Sequence, residues 1–252
     1  DTKQDIELKE RTASSKWVVD MKNTKDGFIE LRSGFTQSGT QVLQEGGYDR
    51  ANAQLIELNA FETLMVFLDD DGTRSSANRT ALKYTIYDAR TGNWSKPILI
   101  QDDGTADFEP NIVDVGDEVM ISWTSQAKVA EDSVSPTDYL KAMEVYTVLM
   151  NKSTKELGTI ERLTSDEYYD STPVGLYDDK SGDRAVYYLK SEVSDDYVSS
   201  VTPTTNESVI VYMLYDKAKG KWLRDEYYPN EVASKEDEAE LIKNWGGQRF
   251  LA

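Results

Sequence analysis

The sequence repeats itself, and this repetition limits the fold more than any other feature. Three segments of the 252-residue chain can be superimposed, and each is typical of two short strands joined by a tight turn. The superposition places Asn52, Pro110 and Pro173 in register, at intervals of 58 and 63 residues. An internal period of this kind predicts a repeat architecture in which each unit is one supersecondary element.

A second pair of strands follows within each repeat. Polar and apolar residues alternate in Lys83 to Tyr87, and Val209 to Tyr215 is a short apolar run; both patterns are typical of strands. A tight turn and a short apolar segment, such as residues 97–100, then close the unit. Four antiparallel strands per tandem repeat are typical of propeller blades. We therefore predict an all-β chain of tandem four-stranded antiparallel β-propeller-type blades, about three complete with partial ends; a β-sandwich is the alternative.

Two hairpins share a more specific pattern. Tyr87-Asp88 and Tyr215-Asp216 are each followed by a tryptophan six residues after the aspartate. This spacing resembles the hairpin of kelch repeats, although the glycine pair that ends a kelch b strand is absent. The whole pattern resembles divergent kelch-like repeats of secreted or cell-surface proteins from Gram-positive, gut Firmicute-type bacteria. The resemblance implies a secreted or cell-wall-attached, extracellular protein.

One helix is predicted near the end of the chain, at residues 234–244. Ser234 is a favourable N-cap, acidic residues follow it in the first turn, and Gly246 is a stop signal. The predicted organisation is a partial blade or N-terminal strands at 1–47, three repeats within 48–230 (about 48–101, 102–165 and 166–230), and a helical insertion with the start of a further strand at 231–252.

Composition excludes several classes of function. The chain has no cysteine and no histidine, which removes disulfides, thiol nucleophiles, histidine-based triads and most transition-metal sites. Its formal net charge of −18 argues against nucleic acid, because backbone affinity comes from clustered lysine and arginine. No apolar run is long enough for membrane insertion. Carboxylate chemistry, calcium and plain binding remain.

The longer loops are the predicted functional face. In an up-and-down blade the a–b and c–d turns lie on one face, where this sequence has short turns. The b–c and d–a loops lie on the other face, where it has long ones, and binding residues commonly lie on such loops. The predicted partner-binding residues in these loops are Tyr168, Tyr169, Asp170, Tyr197, Asp195, Asp196, Asp102, Asp103, Asp107 and Tyr139.

The acidic loop residues allow two further interpretations. Asp69, Asp70 and Asp71 supply oxygen ligands of the kind calcium prefers, although their spacing is not that of an EF-hand. Calcium is therefore a possible ligand, and no other cofactor is expected. A pair of carboxyl groups about 5–9.5 Å apart would instead be typical of a glycoside hydrolase.

Taken together, these features predict a non-enzymatic extracellular binding module of a bacterial surface protein. Its predicted partner is a host or extracellular protein or glycoprotein, such as a secreted immunoglobulin, or a glycan, and it is recognised through the acidic, tyrosine-rich loops. The first alternative is a propeller enzyme that uses a carboxylate pair as glycoside hydrolases do. The second alternative is a structural spacer repeat.

Overall fold

The computed structural model describes two ranges in full and four strands before them. The fully described ranges are 51–194 and 208–223, and the earlier strands lie at 4–7, 17–23, 29–35 and 41–47. The chain divides into two compact units, Asp1–Pro110 and Asn111–Ala252.

The first sheet of the N-terminal unit is built from four consecutive strands. They are β1 (Gln4–Glu7), β2 (Trp17–Asn23), β3 (Ile29–Phe35) and β4 (Gln41–Gly47). Each strand pairs antiparallel with the next, so the sheet order follows the chain order. The sequence pattern predicts strands at residues 16–20, 28–31 and 41–44, which lie in or overlap β2, β3 and β4, and it does not predict β1.

The second sheet of this unit contains the first predicted repeat. Its strands are β5 (Gln54–Asn59), β6 (Glu62–Asp70), β7 (Thr80–Asp88), β8 (Asn93–Trp94) and β9 (Ile98–Leu99). Strands β5 to β8 follow in order, and β9 also pairs with β7. Seven consecutive residues of β6 are buried, which means that both faces of this strand are covered.

The second repeat forms the next sheet, whose first strand crosses the boundary between the units. Its strands are β10 (Asp107–Asp114), β11 (Glu118–Gln126), β12 (Met143–Asn151) and β13 (Glu161–Arg162), in this order. Strands β11 and β12 pair antiparallel over nine residues, from Glu118 opposite Asn151 to Gln126 opposite Met143.

The third repeat forms the last described sheet. Its strands are β14 (Tyr169–Tyr177), β15 (Arg184–Ser191), β16 (Val209–Asp216) and β17 (Lys221–Trp222), again in chain order. A core in the C-terminal unit joins this sheet to β11 and β12. Buried members of that core are Met120, Val145, Val186, Tyr188 and Val211. The predicted fold class, all-β with tandem four-stranded antiparallel blades, is confirmed.

The described part of the chain contains one α-helix that the sequence analysis missed. Helix α1 (Pro136–Lys141) lies in the connection between β11 and β12. Ser135 is its N-cap, and the Ser135 hydroxyl accepts a hydrogen bond of 3.0 Å from the backbone N–H of Asp138. The helix predicted at 234–244 lies outside the described residues. Within those residues, no helix has the length and apolar character needed to cross a membrane.

The two tyrosine–tryptophan hairpins have the same ring separation, although the angles between the ring planes differ, at 54° and 71°. The rings of Tyr87 and Trp94 lie 5.4 Å apart between centroids, as do those of Tyr215 and Trp222. Both turns contain a glycine with positive φ, Gly92 at 72° and Gly220 at 63°. Each tryptophan therefore packs against the tyrosine of its own hairpin.

The three repeats share an irregular backbone residue, which precedes β5 in the first repeat and lies within β10 and β14 in the other two. Asn52, Glu109 and Thr172 all have φ between 45° and 52°, a conformation that side chains other than glycine rarely adopt. By this shared conformation, Asn52 corresponds to Glu109 and Thr172. The sequence analysis had placed Asn52 in register with Pro110 and Pro173, which are each one residue later. The strand pairing of β14 also shifts between Ser171 and Val174. A bend of this kind lets a strand continue through a segment that resembles a turn in the sequence.

Candidate functional site

Asp170 is the most unusual ionisable residue in the described chain. It is the second residue of β14 and lies opposite Lys190 of β15 in the strand pairing. Its side chain is 0% exposed, and neither carboxyl oxygen has a hydrogen-bond partner. Because a buried polar group without a partner is costly, this carboxyl group calls for an explanation.

Asp107 shows what the same position does in the preceding repeat. It is the first residue of β10, lies 63 residues before Asp170 and is also buried. The backbone N–H of Leu82 in β7 donates a hydrogen bond of 2.9 Å to Oδ2 of Asp107. At this position the carboxylate therefore holds the backbone of a neighbouring strand, which is a structural role.

The corresponding backbone group in the next repeat has a different partner. Val145 of β12 lies 63 residues after Leu82, and its N–H donates to Oγ1 of Thr164 at 3.0 Å. Thr164 in turn donates its hydroxyl proton to Oε2 of Glu144 at 2.5 Å. A hydroxyl group has one proton, so Thr164 has none left for Asp170.

Glu144 is a second buried carboxyl group beside Asp170. Besides Thr164, it binds Nη2 of Arg162 at 2.7 Å, and this arginine is partly exposed. Burial raises the pKa of Glu144, and the bonds from Thr164 and Arg162 counteract part of that effect. Glu144 is thus a carboxyl group fixed at both oxygens.

The surface end of this cluster contains Asp166, Tyr168 and Lys190. The ammonium group of Lys190 forms an ion pair with Oδ2 of Asp166. The same ammonium lies 4.7 Å from the centroid of the Tyr168 ring, within the range of a cation–π interaction. The side chain of Tyr168 is 43% exposed. Lys190 therefore links an exposed aromatic ring and a partly exposed carboxylate to the strand position opposite Asp170.

These surroundings set the protonation of Asp170. Burial is the main cause that raises the pKa of Asp170 to about 7, and the nearby charges of Asp166 and Glu144 raise it further. The Lys190 ammonium acts in the opposite direction, and so would a hydrogen bond from the nearby Thr164 hydroxyl, but Thr164 donates its proton to Glu144 instead. A carboxyl group with this pKa holds a proton up to neutral pH and is able to donate it, as general acids do.

The structure brings three of the predicted partner-binding residues together in the C-terminal unit. Tyr168, Tyr169 and Asp170 are consecutive, and Tyr169 is the half-buried first residue of β14. Tyr139 is on α1, and its backbone oxygen accepts a hydrogen bond of 2.7 Å from Nε2 of Gln126. Asp195, Asp196 and Tyr197 lie outside the described residues.

Sequence reasoning did not single out Glu144, Arg162 and Thr164. An available signal was the acidic residue between Met143 and Val145, at the start of a strand that is otherwise apolar. Such a residue must either be exposed or have a partner, because a lone buried charge is costly. The partners themselves lie about twenty residues further along the chain, so no local pattern identifies them.

The N-terminal unit holds three other predicted partner-binding residues. Asp102 has an 80% exposed side chain and lies 3.4 Å from Nη2 of Arg74. Asp103 accepts hydrogen bonds from the backbone and the hydroxyl of Thr105. Asp107 has the structural bond described above. The partner-binding role of these residues stays a prediction.

Each of the three predicted calcium ligands forms an ion pair within the N-terminal unit. Asp69 pairs with Lys83 at 2.5 Å, Asp70 with Arg79 at 2.7 Å and Asp71 with Arg74 at 3.3 Å. No group of three or more acidic residues in the fully described ranges is arranged to hold a metal ion. Calcium binding stays a prediction that these contacts do not test.

Comparison with known proteins gives similarity of fold only. No family model and no curated protein matches the sequence. Among solved structures, the BP39L lectin from Burkholderia pseudomallei is similar with a TM-score of 0.51 and 9% identity, over 82% of this chain and 50% of the lectin. An α-L-arabinanase from Penicillium chrysogenum has a TM-score of 0.49 and 9% identity, over 85% of this chain and 64% of that one.

A Hadza microbial sialidase is also similar, with a TM-score of 0.47 and 7% identity, over 77% of this chain and 44% of the sialidase. The chain therefore spans less than two thirds of the length of each of these three structures. At such identities the likeness shows the fold alone, which is that of β-propeller proteins.

The comparisons correct the predicted function. The sequence analysis predicted a non-enzymatic binding module and no enzyme, whereas the similar structures are mostly enzymes named as arabinanase, arabinofuranosidase or sialidase. The prediction weighed exposed acids and tyrosines, and it gave no weight to the buried carboxyl group of Asp170, which the sequence alone does not reveal.

Proposed function

We propose that the chain is part of a glycoside hydrolase and that Asp170 is its proton donor. One observation carries this proposal: Asp170 is buried without a hydrogen-bond partner, and burial raises its pKa to about 7. Glycoside hydrolases need one carboxyl group that keeps its proton near neutral pH and a second that is ionised. Asp166, paired with Lys190 and partly exposed, is the candidate for the second role.

The proposed chemistry is hydrolysis of a glycosidic bond. The bond between the anomeric carbon and the bridging oxygen breaks, and the proton of Asp170 passes to that oxygen. Water forms the new bond to the anomeric carbon, and its proton passes to the carboxylate of Asp166. Since Asp170 is fully buried, the substrate reaches it only when neighbouring side chains move, and we propose that the exposed Tyr168 is one of them.

The proposal also covers the partner and the location. The partner is a glycan, and two carboxyl groups suffice for the reaction without a cofactor. The kelch-like hairpins at Tyr87 and Tyr215, with their resemblance to repeats of surface proteins, support a secreted or cell-wall-attached protein. A bacterial surface origin is therefore part of the proposal.

Hydrolysis of defined glycans tests the proposal directly. The whole chain is incubated with a panel of nitrophenyl glycosides and polysaccharides, and released nitrophenol and reducing ends are measured. We expect turnover by the unchanged protein and a loss of at least about 100-fold in Asp170→Asn, because general acid catalysis contributes about 10²–10⁴-fold.

Asp107→Asn is the matched control, since Asp107 occupies the same repeat position and binds the backbone of Leu82. It is expected to keep turnover. Absence of turnover on every substrate, or full turnover by Asp170→Asn, would contradict the proposal.

A further inference from the structure

We infer that Glu144 and Thr164 form a positioning device that releases Asp170 from the structural bond made by its counterpart in the preceding repeat. The inference starts from two sites related by an offset of 63 residues. At one site the carboxyl group holds a strand, and at the other it is left without a partner. This difference in hydrogen bonding is a property of the protein itself and does not depend on a bound ligand.

The two sites are equivalent in their backbone. In the first, the N–H of Ile100 donates to the carbonyl of Leu82 at 2.9 Å; in the second, the N–H of Leu163 donates to the carbonyl of Val145 at 2.7 Å. Leu163 and Val145 each lie 63 residues after Ile100 and Leu82, so the two hydrogen bonds join equivalent positions of the two repeats. The segment that leads to each aspartate therefore begins at the same place in its repeat. The difference between the sites therefore lies in side chains.

Two substitutions distinguish the sites. Gln101 stands where the second site has Thr164, and Ala81 stands where it has Glu144. Alanine has no polar group at this place, so the N–H of Leu82 bonds to the aspartate. In the second site the Thr164 hydroxyl accepts the equivalent N–H and is itself held by Glu144. Two added side chains thus replace the aspartate in its structural role.

The charges around Asp170 suit a carboxyl group that keeps its proton. Glu144 on β12 and Asp166 before β14 are both close enough to disfavour a further negative charge. Lys190 on β15 is the cation that faces it, and its ammonium is shared with Asp166 and the Tyr168 ring.

Two charged groups of the surrounding elements have other partners. Arg162 on β13 binds Glu144. Helix α1 also contacts β14, and Oδ2 of its Asp138 accepts a hydrogen bond from Ser135. Neither group is positioned by these contacts to neutralise Asp170.

The inference concerns the same site as the proposed function and depends on it only for the use of the released proton. Its test needs no substrate, so the two fail separately. If Asp170 is released but no glycan is hydrolysed, the proposed function fails and the inference stands. If Asp170 titrates as an ordinary aspartate, the inference fails whatever the hydrolysis assay shows.

The test is an NMR titration of the aspartate side-chain carboxyl carbons in the whole chain. For the unchanged protein we expect a midpoint of about 7 for Asp170. In Thr164→Val the N–H of Val145 loses its acceptor, and we expect it to bond to Asp170. The midpoint should then fall clearly below that of the unchanged protein, because a bond from an N–H group favours the ionised carboxylate, although burial still raises the pKa. Thr164→Ser keeps the hydroxyl group and should keep the midpoint at about 7.

A double variant repeats the test with residues that the other repeat already carries at these places. Glu144→Ala with Thr164→Gln reproduces Ala81 and Gln101, so it should also lower the midpoint of Asp170, by the freed N–H of Val145 and by loss of the Glu144 charge. The titration of Asp107 should be the same in every protein. A midpoint that stays near 7 in both Thr164→Val and the double variant, or one near 4 in the unchanged protein, would overturn the inference.

Discussion

Asp170→Asn is expected to change how the stability of the protein depends on pH. In the folded protein Asp170 keeps its proton up to about pH 7, whereas in the unfolded chain it loses the proton near 3.8. Between these two values the folded state binds more protons than the unfolded state. The free energy of unfolding therefore falls as the pH rises through this window. Asparagine has no proton to lose and removes this dependence.

The size of the effect follows from the pKa of Asp170. From pH 5 to about pH 7 the contribution of Asp170 falls by about 1.4 kcal/mol per pH unit, which amounts to roughly 3 kcal/mol. Above pH 7 both states are ionised and the contribution is constant. The free energy of unfolding of Asp170→Asn, minus that of the unchanged protein, should therefore rise by roughly 3 kcal/mol between pH 5 and pH 8. Any cost of burying the amide is the same at every pH and does not affect this rise.

Urea unfolding followed by far-ultraviolet circular dichroism at pH 5, 6, 7 and 8 measures this difference. Asp102→Asn serves as the exposed control, because the side chain of Asp102 is 80% exposed, and its difference from the unchanged protein should stay nearly constant. A difference for Asp170→Asn that is the same at pH 5 and pH 8 would refute the reasoning, since it would mean that Asp170 is ionised in the folded protein throughout.

Three further substitutions test contacts elsewhere in the chain. Lys83→Met leaves the buried Asp69 without its cation and should destabilise the protein by about 3 kcal/mol at pH 8, less at pH 4, in urea unfolding. Gly175→Ala places a methyl group 2.7 Å from a core methionine and should cost about 1–3 kcal/mol, seen as a lower urea midpoint with an unchanged slope. Trp222→Ala removes a buried ring and should cost about 3–5 kcal/mol, whereas Trp222→Phe should cost less, as thermal unfolding would show.

The strands were predictable where side chains alternate or where apolar residues run together. Strand β7 includes the alternating segment Lys83 to Tyr87, and β11 includes the apolar run Val119 to Ile121. Both the period of two and the short apolar run are direct consequences of sheet burial. The regular part of each blade is thus encoded locally.

The start of β14, the first strand of the third repeat, was not predictable in the same way. The sequence analysis assigned Tyr169 and Asp170 to a loop between strands, whereas β14 begins at Tyr169. Thr172, with φ of 52°, and Pro173 resemble a turn, so Asp170 was assigned to an exposed loop. It is in fact within the strand and buried. The irregular backbone conceals the continuation of the strand, and with it the burial of the carboxyl group.

The candidate site was only half predictable for a related reason. Tyr168, Tyr169 and Asp170 were predicted as partner-binding residues because they are consecutive in an acidic, aromatic segment. Glu144 belongs to a different strand, and its bond to Thr164 joins residues twenty positions apart. Whether an aspartate is a surface ligand or a buried acid depends on these distant partners, which only the folded chain brings together.

The paired aspartates 63 residues apart also show how a repeated fold acquires chemistry. In proteins built from repeats, stability is approximately the sum of contributions from each copy. One copy is therefore free to diverge while the others keep the architecture intact. Here the backbone bond made by Asp107 persists in one copy, and a threonine takes over that bond in the next. Redundancy of this kind favours the evolution of new functions, because a residue that no longer has a structural role is able to acquire a chemical one without loss of the fold.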